Sequence, residues 1–350
     1  MEKGNDVRRG LIVMVALAGF GAAMAAPEND RVEQSIRRGL DFIARGQIEN
    51  GTFDSGPAKS FAGIPALCGM AFLAAGDTPL AEPNGPVILR IVDHLLGKAR
   101  DDGYLGVSNG KMYSHCIATL FLSEVSGMVD TNRQEKIAKL LPKAVKIILS
   151  AQAIRKQPVH DGGWRYEPNS TDSDMSCSGW ALMALRSARL NGAPVPEEAI
   201  DRAVKYLLTH HDEKTGTFGY QNTCSEADKL TGAGLLCLEL CGRHGHPATF
   251  RAGAYLAGHY RNLQNAHRKL YGMYYTAQGL FQLGGPAWQE FSEWMYDYWI
   301  PRQAPDGRWD VSEDGCPYYQ TALVVLAFTV SYRQLPIYQR DETVDTEEED

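Results

Sequence analysis

Asp161–Ala188 reads DGGWRYEPNSTDSDMSCSGWALMALRSA, and its three parts set the plan of the whole chain. A glycine turn ends in an aromatic, Gly162-Gly163-Trp164. A polar loop with two acids, Asp172 and Asp174, follows it. From Cys177 to Ala188 the sequence is apolar nearly all round, which predicts a helix enclosed by other helices. Weaker copies of the same order recur on both sides.

Outward from this stretch the chain alternates two kinds of helix. Arg31–Arg45 (RVEQSIRRGLDFIAR) is amphipathic, whereas residues 63–76 are rich in Ala, Gly, Leu and Met with few charges. One-faced helices belong at a surface and all-apolar ones inside. Glycine turns join them at Gly51-Thr52-Phe53, Gly103-Tyr104-Leu105, Gly163-Trp164, Gly216-Thr217-Phe218 and Gly307-Arg308-Trp309, with one turn eroded near residue 265. A unit of this length is a repeated helical hairpin. Outer helices are expected to begin near Arg31, Pro86, Gln134, Pro196, Phe250 and Trp288. Their inner partners follow near Phe61, Lys111, Ser176, Asp228, Gly272 and Pro317. No segment reads as a strand, so the fold class is all-α.

Overlaying the repeats places Cys116, Cys177, Thr231, Thr276 and Thr321 in one small-residue register at the inner-helix starts. Three residues earlier stand Tyr113, Asp174, Asp228, Met273 and Tyr318. One residue earlier stand His115, Ser176, Leu230, Tyr275 and Gln320. If the inner helices form a ring, these positions meet around its mouth.

The ends of the chain are of another character. Lys3, Arg8 and Arg9 precede the apolar run Leu11–Met24, and Ala23-Met24-Ala25 fits a small-x-small cleavage site. Residues 1–25 are therefore expected to be a signal peptide and the mature protein to be exported, periplasmic or extracellular. An uncleaved anchor is the other reading, although the run is short against the roughly 20 residues of a membrane span. The last ten residues, DETVDTEEED, hold seven acids and no base, so the net charge of -7 belongs to the tail. The rest is formally neutral, which argues against a nucleic-acid groove. Residues 336–350 are expected to be solvated and disordered, or to dock a basic partner. Seven cysteines are an odd number and give no disulfide framework. Cys68, Cys237 and Cys241 lie in apolar runs, as small buried hydrophobes do.

Six outer–inner pairs with Gln-x-x-x-Gly-x-Trp turns resemble the terpenoid cyclase and protein prenyltransferase superfamily. The motif stands in full at Gln303-Ala-Pro-Asp-Gly307-Arg-Trp309, and with Phe for Trp at Gln47-Ile-Glu-Asn-Gly51-Thr-Phe53. The middle turns keep the glycine but lose the Gln in register. The resemblance spans about residues 31–335 and implies an α/α toroid of six helical hairpins, a single domain over residues 26–335. It also implies an aromatic-lined axial cavity for an isoprenoid, with Tyr113, Trp180, Tyr274, Tyr275, Tyr318 and Tyr319 near the inner-helix starts. The alternative is that these rings fill a packed core.

Cyclases of this kind protonate an alkene with an aspartate of Asp-x-Asp-Asp, and Asp172-Ser173-Asp174-Met175 resembles that motif one acid short. An alkene is a poor base, so such an acid must be held protonated in an apolar site. Against it stands the reading of Asp174 or Ser176 as an ordinary helix N-cap. His115 and Asp228, in the same registers, join the expected ligand contacts. Asp314-Gly315-Cys316 looks like half of the prenyltransferase zinc site, but the neighbouring inner helices supply no His where the second half belongs. No metal or cofactor is expected. Loop histidines, His210, His211, His244 and His246, read as solvent-facing, and no nucleophile elbow, phosphate loop or His-Glu-x-x-His is present.

Three functions are open at this point. The first is an exported terpenoid-cyclase-like protein that binds or cyclises an isoprenoid, with contact to a membrane surface. The second is an inactive toroid that binds a hydrophobic ligand or another protein. The third is a carbohydrate-active (α/α)-barrel enzyme, with Asp174 and Asp228 as its paired carboxylates, which need a separation of about 5–10 Å. Oligomeric state is not legible.

Overall fold

The computed structural model describes residues 27–54, 61–107, 110–311 and 316–339, with side chains from residue 30 onward. The expected signal peptide, Asp314 and the tail beyond Gln339 lie outside the described residues. In chain order the helices are α1 Pro27–Gly46, α2 Gly63–Ala74, α3 Gly85–Lys98, α4 Lys111–Glu124, α5 Thr131–Ala153 and α6 Met175–Leu190, then α7 Glu197–Thr209, α8 Ala227–Leu240, α9 Pro247–His259, α10 Lys269–Leu283, α11 Gly285–Trp299 and α12 Pro317–Phe328. Every start falls within four residues of its expected position.

Even-numbered helices form the inner ring and odd-numbered ones the outer. α2 is buried along its whole length, whereas α1 and α7 bury one stripe and present charge to water. Each inner helix packs on the next, and α12 packs on α2, so the ring closes. The fold is an α/α toroid of six helical hairpins. Among the described residues there is no strand, and no helix is long and apolar enough to cross a membrane.

The turns hold the outer ring together. Gly162 and Gly307 have φ of 85° and 96°, a region closed to most side chains. A Cβ at Gly162 would stand 2.2 Å from the Arg202 carbonyl oxygen of α7, and one at Gly307 2.1 Å from that of Arg38 on α1. Each glycine thus lets its turn touch the backbone of the next outer helix. In the third turn this residue is Gly162, one position before the glycine expected to align. Gln303 Nε2 donates to the carbonyls of Gly307 (2.8 Å) and Ser35 (2.8 Å), bonding its own turn to α1. The third turn has the same bracket: Gln152 Nε2 donates to the carbonyls of Gly162 (2.9 Å) and Ala199 (2.8 Å). Its Gln is present, but ten residues before the glycine, where that of the last turn stands four before.

In the third, fourth and last repeats a second bond latches the turn to its own inner helix. The N–H of Trp164 donates to Ser178 Oγ (2.9 Å), that of Phe218 to Thr231 Oγ1 (3.1 Å) and that of Trp309 to Thr321 Oγ1 (3.1 Å). In the second repeat His115 takes this place. Its Nδ1 accepts from Leu105 N–H (3.1 Å) and its Nε2 faces the Ala144 carbonyl (3.1 Å). Burial pushes His115 down to about 4, so it stays neutral. This corrects the expectation of a ligand contact: both ring nitrogens are spent on architecture. The fifth repeat replaces its turn with the 3₁₀ segment Tyr260–Gln264. There the buried Thr276 hydroxyl finds no partner among the described residues.

After α12 the chain crosses the base of the ring. Ile337 and Tyr338 are buried, so the folded body runs past residue 335 to at least Gln339.

Candidate functional site

All six inner helices begin at one end of the ring, the mouth. Between α6 and α8 the mouth is organised by Arg165, the residue after the turn tryptophan. Arg165 Nη1 donates to Asp174 Oδ2 (3.0 Å) and to the Tyr220 hydroxyl (3.1 Å), and its Nε lies 3.3 Å from Asp172 Oδ2. The guanidinium also stands 4.7 Å from the Tyr166 ring centroid and 5.5 Å from that of Tyr220. Burial works against its charge, but Asp174, Tyr220 and Asp172 outweigh that cost and hold it above its usual range. The hydroxyls of Tyr166 and Tyr220 meet at 2.5 Å.

Asp174 is fully buried and caps α6. Its Oδ1 accepts from Cys177 N–H (2.8 Å) and Ser176 Oγ (2.6 Å), while Oδ2 takes Arg165. Three donors converge on it, a set suited to a carboxylate. Asp172 is half exposed, and its Oδ2 faces Arg165 and also accepts from Gln221 Nε2 (3.3 Å). Asp228 turns away from the mouth: its Oδ1 accepts from Tyr255 (2.7 Å) and from Asn262 Nδ2 (3.2 Å) in the outer layer. The expected pair of facing carboxylates, Asp174 and Asp228, is therefore not formed.

Beside the Arg165 hub lies a cavity of about 280 Å³, bordered by Tyr113, Tyr166, Ser176, Tyr220, Lys229 and Tyr271, with Glu226, His267 and Arg268 at its rim. Lys229 pairs with Glu226 (3.0 Å), and Arg268 makes no ion pair among the described residues. The caps of α8 and α10, Glu226 and Arg268, are both left-handed and neither supplies a side-chain cap. Both helices thus turn uncapped N-termini toward the rim, which favours negative charge there. Within the cavity wall, burial first pushes Tyr113 and Tyr271 well above the usual phenol range, helped by Tyr271 for Tyr113 and by Tyr275 for Tyr271. Tyr319 faces the same group.

Below the cavity the axis is full. Trp180, Tyr274 and Tyr275 have no exposed surface. Trp180 stacks on Tyr274 at 5.6 Å and 9°, and Tyr275 packs against both. Tyr113 meets the edge of Trp180 at 6.3 Å, so the column runs from the cavity inward. Tyr318 does not belong to it: its ring stacks on Phe42 (5.1 Å) and packs tilted against Phe53 (5.0 Å) between the first turn and α1, a correction to the axial placement. Cys316 precedes α12 and faces Cys68, and no three His, Cys, Asp or Glu converge among the described residues. His210 is fully buried beside Tyr206 rather than facing solvent, its Nδ1 3.1 Å from the Tyr206 carbonyl. His244 is also withdrawn, paired with the buried Glu239.

Sequence reasoning missed Arg165, Tyr166, Tyr220, Lys229, Arg268 and Tyr271. One signal was present: Tyr166 and Tyr220 each stand two residues after the turn aromatic, Trp164 and Phe218, in adjacent repeats.

No family model matches the chain, and no curated protein matches it in sequence. Solved structures do match its fold. An inactive variant of the α-1,6-mannanase of Salegentibacter sp. HEL1_6, in complex with α-1,6-mannotriose, aligns with a TM-score of 0.60 at 11% identity, covering 85% of this chain and 98% of that one. The type II terpene cyclase MstE from Scytonema, in a variant holding geranylgeranyl dihydroxybenzoate, aligns at 0.57 and 14% identity over 89% of this chain and 100% of its own. Apo MstE gives 0.57 at 15% identity, covering 87% and 99%. The chain therefore has the terpenoid-cyclase-like α/α toroid fold, which it shares equally with a glycoside hydrolase.

Proposed function

We propose that this protein is a non-catalytic ligand-binding toroid that holds a small polar molecule bearing an anionic group at its mouth. The observation that carries this is the filled axis, where Trp180, Tyr274 and Tyr275 occupy the volume a polyprene chain would need. Among the described residues the sizeable axial space lies above them, and its volume of about 280 Å³ falls just under that of most ligand sites, roughly 300 to 1,000 Å³. Tyrosine hydroxyls, Lys229, Arg268 and two uncapped helix N-termini supply donors for a carboxylate or phosphate. Asp174, the acid that resembles part of a cyclase's Asp-x-Asp-Asp motif, is bound by three donors and caps a helix.

Among toroids of this fold, one holds a mannotriose and another a geranylgeranyl dihydroxybenzoate. The hydroxyl-rich lining here suits a sugar acid or sugar phosphate better than a prenyl chain. Calorimetry with glucuronate, glucose 6-phosphate, glucose and squalene tests this. The two anions should bind, glucose should bind at least about tenfold more weakly, and the Lys229→Ala/Arg268→Ala double variant should lose a similar factor for the anions. Binding or turnover of squalene, with no response to the anions, would overturn the reading.

A further inference from the structure

The opposite end of the ring carries a feature that the mouth does not explain. Glu124, the last residue of α4, is only 1% exposed at the base. Its Oε2 accepts from the N–H of Ile337 (3.1 Å) and its Oε1 from Ser187 Oγ of α6. Among the described residues no cation pairs with it. The segment that supplies the Ile337 N–H runs across the base as two 3₁₀ turns, Val330–Tyr332 and Pro336–Tyr338. It is fastened at two further points. The hydroxyls of Tyr338 and Tyr274 meet at 2.6 Å, and Gln282 Nε2 donates to the Tyr338 carbonyl (2.9 Å).

We infer that this segment is a strap whose docking is governed by the ionisation of Glu124, held tightly over the base while Glu124 is protonated and loosened once it is charged. The titratable groups facing Glu124 from other elements are Tyr274 of α10 and Tyr338 of the strap. Burial pushes both above the usual phenol range, so neither changes charge near neutrality. Burial likewise pushes Glu124 up to about 7, against the opposing pull of Ser187 and the Ile337 N–H. A buried carboxylate without a cation is costly. Lifting the strap readmits water and lets the acid return toward its ordinary 4.5. The docked form holds the proton between 4.5 and about 7, so docking is strongest below 4.5, weakens as pH rises across that window and levels off above about 7. If lifting restored full solvation, the docking equilibrium would change by roughly 300-fold across that window. Opening would bare the Tyr274 hydroxyl and reach the aromatic column from below, whatever the mouth binds.

Hydrogen exchange of residues 330–339 in the full chain, corrected for intrinsic pH dependence, reads this out. Protection should fall about 10- to 100-fold between pH 5.5 and 8.5 in the wild type. Glu124→Gln keeps an acceptor for Ile337 N–H but carries no charge, and should abolish the difference. Ser187→Ala, a second variant should the first fail to fold, removes a donor to the anion and should move the midpoint upward. Equal wild-type protection at both pH values, a Glu124→Gln protein that keeps the wild-type slope, or an unmoved midpoint in Ser187→Ala would each overturn the strap.

Discussion

The mouth and the base of this ring are built from the two ends of the same inner helices, yet they treat buried charge in opposite ways. Asp174 at the mouth is matched by Arg165 and by two further donors. Glu124 at the base has two neutral donors and, among the described residues, no cation. The long connections at the mouth bring in side chains such as Arg165, Tyr166 and Tyr220, which can pair with an acid and still leave a cavity. At the base, the chain's own C-terminal segment covers the helix ends.

The largest expected effect lies between the two ends. Trp180→Ala should cost about 3–5 kcal/mol in chemical denaturation, because it empties the fully buried stack that both ends rest on. A cost below about 1 kcal/mol would mean the column is loose and the ends independent. Next comes the matched acid. Asp174→Ala should lose about 3 kcal/mol, since it removes a cap and a buried partner of Arg165. Asp174→Asn should recover about 1 kcal/mol of this through the retained cap, and Asp172→Ala, at a half-exposed ion pair, should cost under about 1 kcal/mol. If Asp172→Ala proves as damaging as Asp174→Ala, the hub is not centred where the geometry puts it. The smallest effect compares two latches. Thr321→Val strands the N–H of Trp309 and should cost about 1–2 kcal/mol. Thr276→Val, in the repeat without a turn, should fall within about 0.5 kcal/mol of wild type.

Much of the fold was legible because its signals are local. Alternation of one-faced and all-apolar helices, punctuated by Gly-x-aromatic turns, located every helix to within four residues. The site was harder to read for a geometric reason. One helical position turns a side chain by about 100°, so a register good to a residue or two cannot say which way a residue points. Tyr318 and Asp228 were assigned to the axis and face outward, and His115 was assigned to a ligand and latches a turn. Gln152 was overlooked because the sequence separation to its glycine is 10, where that of Gln303 is 4. Arg165 belongs to no motif. Only its proximity to two acids and two tyrosines marks it; three of them lie in its own loop, and Tyr220 is brought in by the neighbouring repeat.

The seam where that ring closes has a consequence for the order in which the molecule can be made. Gln303 bonds Ser35, 268 residues away, and a Cβ at Gly307 would collide with the Arg38 carbonyl. The middle hairpins find their neighbours as soon as they are synthesised. α1 must wait for the last turn, a contact of high loop-closure cost. Until the last turn and α12 have emerged, the face of α1 that packs on them has nothing to bury against, whereas α2 already has α3 and α4. A nascent chain stalled or clipped before that point would therefore expose its oldest segment, not its newest.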